Sequence, residues 1–304
     1  MSNTAAVGPA IELSGMTKSF RRERAVDGLT LSIPRGSTFG FIGPNGAGKT
    51  TTIRMLMGLL PMDAGRATVL GMDVAAQHER IRRRVGYVPE RHFIYRGMRV
   101  GEVIRFCRAL YETWSDETCD ELRDLFELPL DRRVKALSKG MLAKLALLLA
   151  LAHQPQLLIL DEPTAGLDPL IREEFLEGIL RALVGGGRTV IFSSHTLADV
   201  ERLADTAGII CEGRLLVHCP LDELTARTKR VRLALAGGEP PAELLARGLC
   251  HRMHRNECLL TVGGFSADTP DELAGIDGVR VVEVLDVTLE EAFKDYIRGR
   301  RNHA

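Results

Sequence analysis

Apolar and polar positions alternate through Ile11–Ile33, with Leu29, Leu31 and Ile33 on one face, the period of a half-buried strand. Pro34-Arg35-Gly36 turns the chain into the short apolar run Phe39-Gly40-Phe41-Ile42, read as a buried strand. Thr51–Leu60 carries helical spacing, Asp63-Ala64-Gly65 reads as a turn, and Ala67–Leu70 and Val85–Val88 read as strands. From Met98 to Ala152 the texture is helical: Val100, Val103, Ile104, Cys107 and Leu110 recur every three or four residues, then Leu122, Leu125 and Phe126. Strand texture returns at Leu157–Leu160, Thr189–Phe192 and Ala207–Ile210. Strands alternating with helices predict an α/β domain over residues 10–220. Its mostly parallel sheet is covered on both faces, with an antiparallel β subdomain and a helical insertion at about 92–152.

Near Leu221 the pattern changes. Val231, Leu233 and Leu235 alternate, Gly237–Pro241 breaks the run, and Leu259–Val262 and Val279–Leu285 read as strands. A last helix starts at Thr288, where Glu291 completes a T-x-x-E capping box; Leu289, Ala292, Phe293, Tyr296 and Ile297 form its apolar face. Residues 221–304 are therefore expected to form a small α+β extension, packing on the core or on a second copy.

Composition narrows the class. The 304 residues are 45% hydrophobic and carry a formal net charge of +0, so nothing global points to nucleic acid, although a neutral chain can hold a local patch. Met1–Ala10 lacks the basic start and apolar core of a leader. The longest apolar run, Leu145–Ala152, is far shorter than the ~20 residues of a membrane span. The expectation is a soluble chain whose membrane role, if it has one, comes through a partner. Six cysteines without a C-x-x-C pair fit a reducing compartment. Cys250, His251, His254 and Cys258 are zinc-ligand types in a spacing that matches no zinc signature; they read as solvated turn residues or as a metal site.

One stretch carries explicit chemistry. Gly43-Pro44-Asn45-Gly46-Ala47-Gly48-Lys49-Thr50-Thr51 fits G-x-x-x-x-G-K-[ST]. Glycines let successive backbone N–H groups point into one concavity that holds phosphate oxygens. Lys49 can reach the outer phosphates as a point charge, and the Thr50 hydroxyl can ligate Mg²⁺. The predicted strand before the loop and helix behind it are in register, so the helix N-terminus adds its dipole. Downstream, Leu157-Leu158-Ile159-Leu160 ends in Asp161-Glu162. Asp161 is placed to hold Mg²⁺ through water and Glu162 to polarise a water aimed at a γ-phosphate; the alternative is two solvated acids at a strand end. No N-K-x-D motif occurs, which disfavours guanine nucleotides. Phe20 is either an adenine-stacking ring or a half-buried core aromatic.

Further motifs follow in a fixed order. Over Ile11–Pro220 the chain resembles the nucleotide-binding subunit of an ATP-binding cassette (ABC) transporter. Leu137-Ser138-Lys139-Gly140-Met141 resembles the signature L-S-G-G-Q, Ala165-Gly166-Leu167-Asp168 the D-loop, and Ser194-His195 the switch histidine. Val85–Glu90 sits where the Q-loop sits, and Phe20 where the adenine-stacking aromatic sits. The resemblance implies two such domains sandwiching two ATP molecules head to tail. The Lys49 loop and Asp161-Glu162 of one copy would face Ser138, Lys139, Gly140 and Met141 of the other, with His195 contacting the γ-phosphate and steadying Glu162. It also implies transmembrane permease subunits, a second nucleotide-binding subunit, a place on the cytoplasmic face of a membrane and, from the overall pattern, export.

Three positions depart from the family pattern: Glu90 for Gln, Lys139 for Gly and Met141 for Gln. Glu90 can still ligate Mg²⁺ but adds a negative charge beside the triphosphate. Lys139 adds a cation near the phosphates. Arg91, His92, Phe93, Tyr95 and Arg96 form an aromatic–basic stretch suited to gripping a partner helix, or an ordinary exposed loop. Two rival readings are a soluble ABC ATPase acting on DNA or ribosomes, and a module that binds ATP without turnover. The single cassette without long coiled-coil insertions speaks against the first; Lys49, Asp161, Glu162 and His195 speak against the second.

Overall fold

The computed structural model describes residues 8–183 and 187–302, so most of the stretch Met1–Ala10 lies outside the described residues. The chain divides into two compact units, Met1–Leu215 and Leu216–Ala304. The split falls inside strand β10 (Arg214–Pro220), ahead of the change in texture at 220/221.

In the first unit, β1 (Ile11–Phe20) and β2 (Glu23–Ile33) form a hairpin whose tip residue Arg21 has φ 55. Leu29, Leu31 and Ile33 are buried, as their alternation requires. β4 (Ala64–Val69) and β5 (Met72–Asp73) complete an antiparallel sheet in the order β2-β1-β4-β5. Asp63-Ala64-Gly65 is thus a strand entry and not a free turn. Gly65 has φ 88 and lies against β1 so closely that a Cβ there would sit 2.3 Å from the Gly15 carbonyl, where the pairing register breaks.

The second sheet of this unit is parallel. It contains β3 (Thr38–Ile42), β6 (Val85–Val88), β7 (Leu157–Asp161), β8 (Thr189–Ser194) and β9 (Thr206–Cys211) in the order β9-β3-β8-β7-β6. β3, β7 and β8 are buried along their whole length, which is why they read as continuous apolar runs. α1 (Lys49–Leu56) ends before Leu60 because Met57 closes it and Gly58 turns left-handed at φ 62. α2 (Val74–Arg84) escapes a periodicity reading, since only Val74 and Ile81 are buried and Arg82-Arg83-Arg84 ends it. The insertion holds α3 (Val100–Arg108), α4 (Asp116–Leu125), a single 3₁₀ turn at Val134–Ala136 and α5 (Lys139–Ala152). α6 (Pro169–Leu183) and α7 (Leu197–Leu203) follow β7 and β8.

The second unit runs α8 (Leu221–Ala226), β11 (Thr228–Leu235), α9 (Ala242–Arg247), β12 (Cys250–His254), β13 (Glu257–Gly263), α10 (Thr269–Ala274), β14 (Val279–Asp286), α11 (Leu289–Asn302). Its sheet order is β12-β13-β11-β14 with every neighbour antiparallel, the split βαβ arrangement. Val231, Leu233, Cys258, Leu260 and Leu244 form its core. Cys250 and Cys258 are therefore not solvated turn residues: they lie on paired strands at 8% and 0% exposure, while His251 and His254 face outward. The capping box is made: Thr288 N–H donates to Glu291 Oε2 (3.0 Å) and Glu291 N–H to Thr288 Oγ1 (3.2 Å). Asp295, 1% exposed, accepts from Arg230 and Thr261. Among the described residues no helix is long and apolar enough to cross a membrane.

One buried group gives the fold a pH dependence. His153 closes α5, stacks on Tyr111 at 4.2 Å, and leaves Nδ1 buried without a hydrogen-bond partner. Burial pushes its pKa down from 6.5 to about 4. A depressed histidine pKa means the unfolded chain takes up the proton first, so stability is full above 6.5 and falls as pH drops toward 4. The expected loss over that window is about 3 kcal/mol, and His153→Gln should flatten it by about that amount. Urea midpoints measured from pH 7.5 to 4 check this.

Candidate active site

The loop 43–48 joins the end of β3 to α1, and its glycines are placed by contact. A Cβ on Gly43 would lie 2.4 Å from the Ile210 carbonyl. Gly48 has φ 103, and a Cβ there would lie 2.3 Å from the Ala25 carbonyl. Lys49 opens the helix at 5% exposure. Its ammonium donates to the carbonyls of Gly43 (2.6 Å) and Pro44 (3.2 Å) and pairs with Glu162 Oε1 at 3.1 Å. Asn45, Gly46, Ala47, Gly48, Lys49, Thr50 and Thr51 line a cleft of about 520 Å³ with Phe20, Glu90, Glu162 and His195. Gly43 and Pro44 sit behind it and supply carbonyls.

The acidic wall comes from the ends of β7 and β8. Asp161, 1% exposed, accepts from Thr50 Oγ1 (3.0 Å) and Ser193 Oγ (2.8 Å). Burial raises its pKa; the Ser193 and Thr50 bonds oppose this, and the nearby Glu90 and Glu162 carboxylates add to it. Glu162 follows in the left-handed region at φ 48, its N–H tied to Ser193 Oγ at 2.8 Å. That costly conformation swings its side chain into the cleft. Oε2 meets His195 Nδ1 at 2.6 Å, so Lys49 and His195 hold the two oxygens of one carboxylate.

The donor set fits a divalent cation. Thr50 and Asp161 offer adjacent oxygens and Glu90 lines the same cleft; burial first, and then the Glu90 and Glu162 charges, raise the Asp161 pKa, and a cation would relieve both. The loop fits a phosphate, because its backbone wraps a space that a Lys ammonium and a helix N-terminus already face.

Phe20 is not a core aromatic. It is 48% exposed on the cleft wall with the Lys18 ammonium 5.8 Å from its ring centre. Ser138, Lys139, Gly140 and Met141 do not line this cleft. Ser138 caps α5 by accepting from Met141 N–H (3.2 Å), Lys139 donates to the Ala165 carbonyl (2.6 Å), and Gly140 is buried against Ile171. Met141 lies beside Arg132, its sulfur 3.8 Å from the guanidinium. Asp168 caps α6, accepting from Ile171 N–H at 3.1 Å. Sequence reasoning missed Ser193, which bridges Asp161 and Glu162. It also missed Asp199, which accepts from Thr164 (2.6 Å) and Arg172 (2.7 Å) and so anchors the turn after Glu162 to α7. The only sequence signal for Ser193 is its place two residues before His195.

Known proteins resemble this chain in sequence and fold. The ABC transporter family model matches residues 26–165. The daunorubicin/doxorubicin resistance ATP-binding protein DrrA of Streptomyces peucetius is 38% identical over 257 residues, 81% of this chain and 78% of its own length. This chain belongs to the ABC transporter ATP-binding proteins. The bacitracin transport ATP-binding protein BcrA of Bacillus licheniformis is 35% identical over 72% of each chain. An ATP-binding subunit of an ABC transporter superposes with a TM-score of 0.65 at 30% identity, covering 71% of this chain and 92% of that one. The protein is thus an ABC ATPase with the P-loop fold, and nothing favours action on DNA or ribosomes.

Ser193→Ala leaves the Glu162 N–H without its partner and removes one of the two hydrogen bonds to Asp161 Oδ1, the Thr50 bond remaining, at an expected cost of about 1–3 kcal/mol. Chemical denaturation of the nucleotide-free protein measures it, and Ser193→Thr should recover most of the loss.

Proposed function

We propose that this ABC ATPase binds and hydrolyses Mg–ATP at the cleft between β3, β7 and β8 and drives export through separate membrane subunits. The single observation that carries the reading is Glu162 held between Lys49 (3.1 Å) and His195 (2.6 Å) at the mouth of the phosphate loop. Each carboxylate oxygen has one partner, and the Lys49 cation holds Oε1, the oxygen a water would use. An incoming γ-phosphate competes for the Lys49 ammonium. Lys49 moves its charge to the phosphate, Oε1 is released, and Glu162 becomes able to accept a proton from water. His195 stays on Oε2 and keeps the carboxylate aimed. The base is therefore armed by its own substrate.

In this reading Gly43 to Thr51 hold the phosphates, Phe20 stacks on the base, and Thr50, Asp161 and Glu90 hold Mg²⁺. The metal supplies neutralisation of charge on the β- and γ-phosphate oxygens. The site closes when Ser138, Lys139, Gly140 and Met141 of a second nucleotide-binding subunit, and Asp168 at the turn, come against it. That these signature residues lie outside their own cleft supports the need for a second copy. A groove of about 300 Å³, lined by Tyr87, Pro89, Phe93, Ile94, Tyr111 and Leu149, is suited to a helix of a transmembrane permease on the cytoplasmic face. Export rests on the printed roles of relatives: drug resistance, bacitracin transport and Nod factor export.

Glu162→Gln keeps the shape and removes the base. Turnover should fall by roughly 10²–10⁴-fold while ATP binding persists, and the variant should accumulate as a dimer in ATP. Steady-state turnover with size-exclusion chromatography in ATP tests this. Unchanged turnover would sink the assignment of Glu162.

A further inference from the structure

The chain is neutral overall, yet the helical insertion separates its charges. Acids collect on α4, where Asp116, Glu117, Asp120, Glu121 and Asp124 share a helix with one arginine. Cations collect on two segments that lie side by side. Residues 96–100 pair antiparallel with 132–135: Lys135 N–H donates to Arg96 O (3.1 Å), Val134 N–H to Met98 O (2.9 Å) and Val100 N–H to Arg132 O (3.0 Å), and Arg99 bridges Arg133. This crossing brings together Arg96, Arg99, Arg132, Arg133 and Lys135, and Arg105 stands one helical turn above Gly101, which is bonded to the Leu130 carbonyl. All six cations are exposed, and none makes an ion pair with a described carboxylate. Two acids lie among them. Glu102 is occupied by the Arg99 N–H at 2.7 Å, and Asp131 is exposed.

Large apolar side chains stand exposed at the same rim. Phe93 is 88% exposed, Tyr95 65%, Leu110 61% and Phe106 44%. Tyr95 meets Phe106 edge-on at 5.8 Å, so the loop and the outer face of α3 are one surface. Arginines and aromatics also occur at protein interfaces, but six cations without carboxylate partners call for a surface dense in negative charge. They suit a membrane interface, where phosphate head groups meet the cations and rings enter the boundary region.

We propose that this basic–aromatic rim of the insertion rests on an anionic phospholipid surface beside the membrane partner. The inference builds on the proposed work at a membrane, and its test separates the two. The full chain is floated with vesicles of phosphatidylcholine alone and with vesicles that also contain phosphatidylglycerol. Binding should require phosphatidylglycerol and weaken with added salt. The triple variant R99E/R105E/R133E should lose at least about tenfold in vesicle affinity. Y95S/F106S, which leaves all charges in place, should also weaken binding. Turnover of ATP in solution should stay unchanged in both, because none of these residues lines the cleft or belongs to the 138–141 segment proposed to close it. Failure to bind phosphatidylglycerol vesicles, undiminished binding by the charge-reversed chain, or tighter retention by single-stranded RNA than by vesicles would overturn the proposal. Loss of turnover in the wild-type chain would instead strike at the ATPase reading.

Discussion

The fold of the first unit depends on one constraint: a lysine ammonium must sit almost out of water beside the Glu162 carboxylate at the end of a buried sheet. Lys49 is 5% exposed and reaches the Gly43 and Pro44 carbonyls and Glu162. An isolated buried cation is costly, so each partner must be held in place before the lysine is tolerated. The parallel sheet does this. β3, β7 and β8 are adjacent and in register, so Ile42, Asp161 and Ser193–Ser194 arrive at one edge together. Loop and acids are 111 residues apart for the pair Thr50–Asp161, and only the sheet order makes them neighbours.

What could be read from the sequence was what is local. β3, the phosphate loop and the start of α1 declare themselves within fifteen residues, because the glycine and lysine requirements are set by backbone geometry at consecutive positions. The strand ending in Asp161-Glu162 was legible for the same reason. Thr288 and Glu291 were legible because a capping box closes within one turn. α2 was not, since a helix that buries Val74 and Ile81 alone has too narrow an apolar stripe to count. β12 was not, because Cys250 is its single buried residue and the other four face water. Gly65 looked like turn chemistry, and its φ is indeed left-handed, yet the glycine serves a close strand approach. Composition does not distinguish those two uses.

The partners of site residues were the least legible. Ser193 is one serine of two on a strand, and nothing nearby signals that its hydroxyl bridges Asp161 and the backbone of the candidate base. Asp199 likewise reads as an ordinary helix acid until its contacts to Thr164 and Arg172 appear. These second contacts decide how firmly Glu162 is aimed. Phe20 and the signature residues present the opposite case. Their positions were legible, but their proposed chemistry lies toward a nucleotide or a second copy, and within one chain Lys139 and Met141 contact the Ala165 carbonyl and Arg132.

The left-handed turn at Glu162 connects these strands of the argument. A non-glycine residue at φ 48 pays a conformational cost, and the surrounding bonds must exceed it. Ser193 holds the N–H, Ala165 N–H caps the carbonyl at 3.1 Å, and Lys49 and His195 hold the side chain. Of these four restraints, the one to Lys49 is the one that a phosphate competes for directly. In the proposed reading the other three persist. Nucleotide binding then frees one oxygen without freeing the residue, so the strained turn keeps the carboxylate pointed at the cleft.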